Sequence, residues 1–200
     1  MNIVLILLVA YLLGSIPSGL WVGKWFFKTD IRQHGSGNLG GTNSFRVLGK
    51  KAGLIVTIID ILKGTVATLL PLIPFFADTP VHPLILGSLA VIGHMYPIFA
   101  GFRGGKAVAT SGGVVLGYHW PLFLILIISF FIFLKLTKMV SLSSMIMTVI
   151  ATVYTIVYTF RTGDYSMLIL ILIVSVFIFY RHRENIKRIK AGTEPKVKWI

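Results

Sequence analysis

Six long apolar stretches, over residues 3–23, 52–77, 79–102, 107–134, 139–160 and 165–180, occupy most of this 200-residue chain. Most are near the roughly 20 residues that carry a helix across a bilayer. No loop between them reaches 30 residues, so no soluble domain fits, and residues 1–200 read as one all-α polytopic membrane domain. With 56% hydrophobic and 12% charged residues, the composition excludes an ordinary soluble fold. No Lys or Arg precedes the first stretch and no small-residue cleavage site follows it, so it is expected to remain as a span.

The 28-residue run 107–134 fits either one tilted helix or two, broken at "GYHWP" where Gly117 and Pro121 punctuate it. Charge decides between them. With seven spans and the N-terminus outside, 17 of the 19 Lys and Arg, from Lys24 to Lys198 in the tail, fall on the cytoplasmic side. Arg161 then lies outside and Lys63 inside the membrane, whereas six spans divide the cations evenly. Positive loops stay inside, so seven spans with a cytoplasmic C-terminus are predicted. Residues 107–118 would rise only about 18 Å, so helix 4 is expected to be short, beginning near Gly104 or partly re-entrant.

Nineteen cations face six carboxylates, a net charge of +13. Anionic lipid headgroups and anionic substrates both suit this excess, and no nucleic-acid partner is expected. The absence of cysteine excludes disulfides, thiolate nucleophiles and Cys-ligated metals. Asp30, Asp60, Asp78, Asp164, Glu184 and Glu194 are too scattered for a Mg²⁺ cluster, so neither metal nor other cofactor is expected. No His-x-x-x-x-Asp pair occurs, which excludes the acid/base dyad of the common glycerolipid acyltransferases.

Three stretches carry the chemistry, in regions 28–51, 93–113 and 181–194, all on the predicted cytoplasmic face. The first, "RQHGSGNLGGTNSFRVLGKKAG", is basic, glycine-rich and free of carboxylates. Such loops let backbone amides and cations surround an anion. Arg46 can grip phosphate bidentately, while Ser36, Asn38, Thr42, Asn43 and Ser44 offer neutral hydrogen bonds that physics alone does not rank. In the second, "FRGGK" is expected to open a helix with the amides of Gly104 and Gly105 and the side chain of Lys106 turned to phosphate. Its spacing is not that of a Walker A loop.

Asp60 and Lys63, three residues apart on one helix face, form either a structural ion pair or part of the phosphate site's field. Ser141, Ser143 and Ser144 open the sixth span, where they pack the helix or line the same pocket. No histidine stands out as a general base.

Together "GSGNLGGTNSFRVLGKKAG", "GHMYPIFAGFRGGKAVAT" and "RHRENIKRIKAGTE", with "GSIPSG" and "DILKG", resemble the motifs of the bacterial acyl-phosphate-dependent glycerol-3-phosphate acyltransferases. The resemblance covers nearly the whole chain. It implies transfer of a fatty acyl group from acyl phosphate to the sn-1 hydroxyl of glycerol 3-phosphate, giving lysophosphatidic acid and phosphate. This would be the first acylation of phospholipid synthesis, at the cytoplasmic face of the bacterial inner membrane and linked to the enzyme that makes acyl phosphate. It also implies roles for Ser36, Arg46, the glycines Gly101, Gly104 and Gly105, His182 and Asn185, with Glu194 structural. A transporter or flippase of phosphorylated solutes or lipids would share the spans and basic loops. It would place polar residues through the bilayer and on both faces, and here the outer face is almost chargeless. A lipid-phosphate phosphatase lacks an evident nucleophile and base.

Overall fold

A computed structural model describes residues 3–197; Lys198, counted above among the tail cations, lies outside them. The described residues are helical, with turns and no strand. The helices are α1 (Ile3–Ser15), α2 (Ser18–Phe27), α3 (Gly41–Val47), α4 (Lys50–Leu69), α5 (Pro83–Met95), α6 (Val108–Tyr118), α7 (Trp120–Thr137), α8 (Val140–Thr162), α9 (Ser166–Arg181) and α10 (Arg183–Lys190). Among the described residues, four segments are long and apolar enough to cross a membrane: Lys50–Leu72, Pro83–Ala100, Trp120–Thr137 and Val140–Thr162. Counting the bent pairs α1–α2 (49°) and α9–α10 (57°) as one span each makes six, and α6 is a shorter apolar helix.

Two boundaries differ from the sequence reading. The first stretch bends after Ser15, at Ile16–Pro17, and continues to Phe27, because proline cannot donate to the carbonyl a turn behind it. The run 107–134 does break, at His119, but its first helix starts at Val108 and not at Gly104.

The chain divides into two compact units, residues 1–119 and 120–200. In the first, α4 is patterned with its small and polar side inward. Ala52, Gly53, Val56, Asp60, Lys63, Gly64 and Ala67 are buried at helical spacing, while Leu54, Ile55, Ile58, Leu62 and Val66 are exposed. In a bilayer, lipid solvates apolar side chains as well as protein does, so small residues that allow close backbone approach take the interior. A side chain at Gly64 would strike the Thr110 carbonyl of α6, and one at Gly113 the Ile61 carbonyl of α4. Thr65 adds a hydrogen bond to the Gly113 carbonyl at 2.9 Å. The α1–α5 pair meets in the same way, with Gly14 against Ala90. Within this unit Ile6, Ala10, Ala67, Leu70, Phe76, Leu86 and Ala90 form an apolar cluster.

In the second unit α8 buries Ser141, Ser144, Thr148, Ala151, Thr155 and Thr159 and exposes Val149, Val153, Ile156, Val157 and Phe160. Ser144, Thr148 and Thr155 donate to carbonyls four residues back, as Thr148 does to Ser144 at 2.8 Å, while Thr159 donates to the Asp164 carbonyl just past the helix, so these hydroxyls enter the apolar phase paired. Thr152 and Ser175 link α8 to α9 at 3.2 Å.

Candidate active site

The first glycine-rich stretch contains a helix that sequence periodicity does not announce, α3, preceded by a 3-10 turn at Ile31–Gln33. Asp30 caps that turn, accepting from the Arg32 amide (3.1 Å) and gripping its guanidinium, with Nη2 to Oδ2 at 2.6 Å. The hydrogen bond from the Arg32 side chain holds the Asp30 carboxyl down at about 2. The loop is pinned from within by Asn43. Its fully buried amide donates to the carbonyls of Ile31 (3.0 Å) and His34 (3.1 Å) and accepts from the Ser36 amide (2.9 Å). Ser44 is equally buried, its hydroxyl 3.3 Å from the Gly40 carbonyl. Both side chains are thus spent within the loop, which they hold in shape.

Asn38 shapes the same loop, accepting from the Gly40 amide at 2.9 Å. Ser36, Thr42 and Arg46 are exposed. Thr42 and Arg46 are four apart on α3, so they share a face, while Asn43 and Ser44 turn inward. A hydroxyl and a guanidinium on one open face suit a phosphate.

The second stretch is arranged differently from the expectation. The amides of Gly104 and Gly105 donate to the carbonyls of Met95 and His94, each at 3.1 Å, and α6 begins only at Val108. These glycines are required by close approach. A side chain at 104 would strike the His94 carbonyl, and one at 105 would strike the His94 ring. Gly101, at φ 64°, is an exposed left-handed turn residue. The cation of this stretch, Lys106, follows the clamp directly and is half-buried.

Beneath the clamp lies a buried polar group. Asp60 Oδ1 accepts from Ser18 (2.7 Å) and Lys63 (2.9 Å) and stands 3.5 Å from His94 Nδ1. Lys63 also donates to the Ile16 carbonyl at 2.9 Å, where α1 ends at the bend. The Asp60 and Lys63 side chains are 1% and 3% exposed, so the predicted ion pair is real and dry. Asp60 Oδ2 has no hydrogen-bond partner among the described residues. A small pocket alongside is lined by Ile16, Ser18, Lys63, His94 and Gly105 among others.

In the second unit, His182 occupies the joint between α9 and α10 and is 3% exposed. Its Nδ1 lies 2.8 Å from the Ile178 carbonyl, so that nitrogen carries an N–H and donates. Asn185, also buried, donates to Glu194 Oε1 at 2.6 Å. Ser141 donates to the same oxygen at 2.6 Å and Arg188 to Oε2 at 2.8 Å. Burial alone would raise the Glu194 carboxyl, but these hydrogen bonds outweigh it and hold it below its usual range. Glu194 thus straps the tail to Asn185. Ser143 is fully buried and donates to the Met139 carbonyl at 2.9 Å, as a helix-packing serine does.

The sequence reading missed Ser18 and His94 as members of one buried group. The available signal was Asp60 itself, since an intramembrane carboxylate calls for more than one partner.

The family model for glycerol-3-phosphate acyltransferase matches residues 4–192. Named relatives include the glycerol-3-phosphate acyltransferases of Geobacillus kaustophilus, 60% identical over 98% of this chain and 96% of that protein, and of Bacillus subtilis, 56% identical over the full length of both. Among solved structures, the glycerol 3-phosphate form of PlsY (YgiH), an integral membrane glycerol 3-phosphate acyltransferase, superposes with a TM-score of 0.87 at 37% identity, over 96% of this chain and 94% of that one. Its lysophosphatidic acid form gives 0.83 at the same identity, over 96% and 93%. A multi-pass helical chain whose glycine clamp and exposed arginine face sit in a sequence matched from end to end belongs to the glycerol-3-phosphate acyltransferase family of bacterial membrane enzymes.

Proposed function

We propose that this glycerol-3-phosphate acyltransferase takes its acyl group from acyl phosphate and delivers it to the sn-1 hydroxyl, releasing lysophosphatidic acid and inorganic phosphate. The observation that carries the reading is the open Thr42–Arg46 face in a segment with no carboxylate between Asp30 and Asp60. A donor and an acceptor that each bear phosphate are held best where nothing repels them. The PlsY structures described as glycerol 3-phosphate and lysophosphatidic acid forms support the acceptor and the product for this chain.

An acyl phosphate is a mixed anhydride with a good leaving group, so the reaction needs alignment and charge stabilisation more than a strong acid or base. Ser36, Asn38, Thr42, Arg46 and Lys106 are assigned to phosphate and hydroxyl groups, and His182 and Asn185 to positioning substrate. A substrate phosphate oxygen takes the proton of the attacking hydroxyl. His182→Gln should then slow turnover without rescue by imidazole; rescue would identify the ring as the base. Asp60, Lys63, Ser143 and Glu194 support the framework. Seven spans, counting α1–α2 and α9–α10 as one each and α6 as one, place the N-terminus outside and the basic loops in the cytoplasm, at the inner membrane beside the source of acyl phosphate. A cysteine at position 79 accessible only from the cytoplasm would reject that topology.

The decisive assay incubates the purified full chain with palmitoyl phosphate and labelled glycerol 3-phosphate, with palmitoyl-CoA and palmitoyl-acyl carrier protein as controls. Turnover with acyl phosphate alone is expected. Turnover with the thioesters and none with acyl phosphate would reject the donor assignment.

A further inference from the structure

We propose that His94, held by Asp60, is a positioning residue that sets the height of the Lys106 loop. The proposal rests on the reading that Lys106 holds a substrate phosphate.

Three observations converge on His94. Its ring lies directly under Gly105, so close that any side chain there would overlap Nε2, Cε1 and Cδ2. Its carbonyl accepts the Gly105 amide, and the next carbonyl, of Met95, accepts the Gly104 amide. Its Nδ1 faces Asp60 Oδ1 at 3.5 Å, an oxygen already anchored by Ser18 from α2 and Lys63 from α4. The ring therefore stands between a fixed floor and the backbone of the loop.

That loop needs a floor. Phe102 and Ala107, at φ 60° and 63°, hold left-handed conformations that side chains other than glycine disfavour, and both flank Lys106 closely in sequence. Such a segment persists only when its surroundings over-determine it. Ile16, Ser18, Lys63, His94 and Gly105 line a small pocket beside the ring, which gives the loop somewhere to sink once the ring is gone. Lys106, adjoining Gly105, would move with it. A shift of about 1 Å in a positioning element is enough for a loss of about 10²-fold.

The test is a double-mutant cycle on the full chain in nanodiscs, combining His94→Ala with Lys106→Ala. His94→Ala should raise KM for the same substrate that Lys106→Ala affects, or lower kcat in parallel with it, by about 10²-fold. It should add little in the Lys106→Ala background, because a group acting through Lys106 has nothing left to position. His94→Asn, which keeps an N–H toward Asp60 but removes the ring, should show the same defect with a cooperative thermal melt. Additive losses, wild-type kinetics in His94→Ala, or loss of the cooperative melt in His94→Asn would each overturn the proposal. An inactive wild type would instead reject the donor assignment above, and the cycle is then decided by the same criteria with the donor that does work.

Discussion

Asp60 and Glu194 are each surrounded by three side-chain partners, yet they sit in different media. Asp60 lies in the middle of α4 with a lysine that is 3% exposed, whereas the arginine that holds Glu194 is 42% exposed. Removing Glu194 leaves a cation that water can still reach. Removing Asp60 leaves an ammonium sealed among helices. The same constellation of hydroxyl, nitrogen donor and cation thus neutralises a sealed cation in one place and fastens a tail in the other.

The largest effect is expected at Asp60. Asp60→Ala should destabilise the protein by about 3–5 kcal/mol, since it strands a buried charge. Asp60→Leu combined with Lys63→Met should recover much of that loss, because the pair is removed together. Thermal or denaturant unfolding in detergent measures both, and equal stability of Asp60→Ala and wild type would erase the contrast.

Glu194→Ala should cost less, about 1–3 kcal/mol, through the unsatisfied groups it leaves on Ser141 and Asn185. The loss should be local: faster proteolysis or hydrogen exchange across residues 183–197, reduced turnover, and a nearly unchanged global melt. Glu194→Gln, which keeps an acceptor, should fall between. A global collapse in Glu194→Ala would show that the two carboxylates do the same work.

Acid gives the smallest and most specific handle. The folded Glu194 carboxyl titrates below its ordinary 4.5, so its contribution is full above that pH and fades as pH falls through the lower folded value. Protection factors in the tail, taken against the intrinsic exchange rate at each pH, should accordingly fall below about pH 4.5. Asp30, lowered from 3.8 to about 2, should likewise contribute fully above 3.8 and lose that contribution as the pH falls through the lower figure. Protection of the tail that is flat from pH 6 to pH 2 would deny Glu194 this role.

The helices, the break at His119 and the Asp60–Lys63 pair were legible because each depends on neighbours in sequence: apolar length, a Gly–Pro boundary, a three-residue spacing. Ser18 and His94 were not, since they reach Asp60 from other helices and nothing local records the meeting. Gly104 and Gly105 were expected to turn free amides outward at a helix start, and a contact with another helix could not be read from the glycines themselves. Their lack of a side chain serves His94, and their amides serve the chain itself. The seven-residue α3 escaped because it is too short and too polar for apolar periodicity, and its inward residues are Asn43 and Ser44 rather than leucines.

One consequence of the α4–α6 seam concerns the order of synthesis. With 11 residues, α6 reaches only about 16 Å and cannot cover a hydrocarbon core of about 30 Å by itself. What seats it is main chain on main chain, Gly64 at Thr110 and Gly113 at Ile61, with no side chain between to be traded for a larger one. By the time Val108 leaves the ribosome, α4 has already been made, so the helix least able to enter the membrane alone finds its berth waiting. A chain lacking residues 50–69 should leave α6 unintegrated in glycosylation mapping of nascent chains. The short helix is, in that sense, inserted by its predecessor.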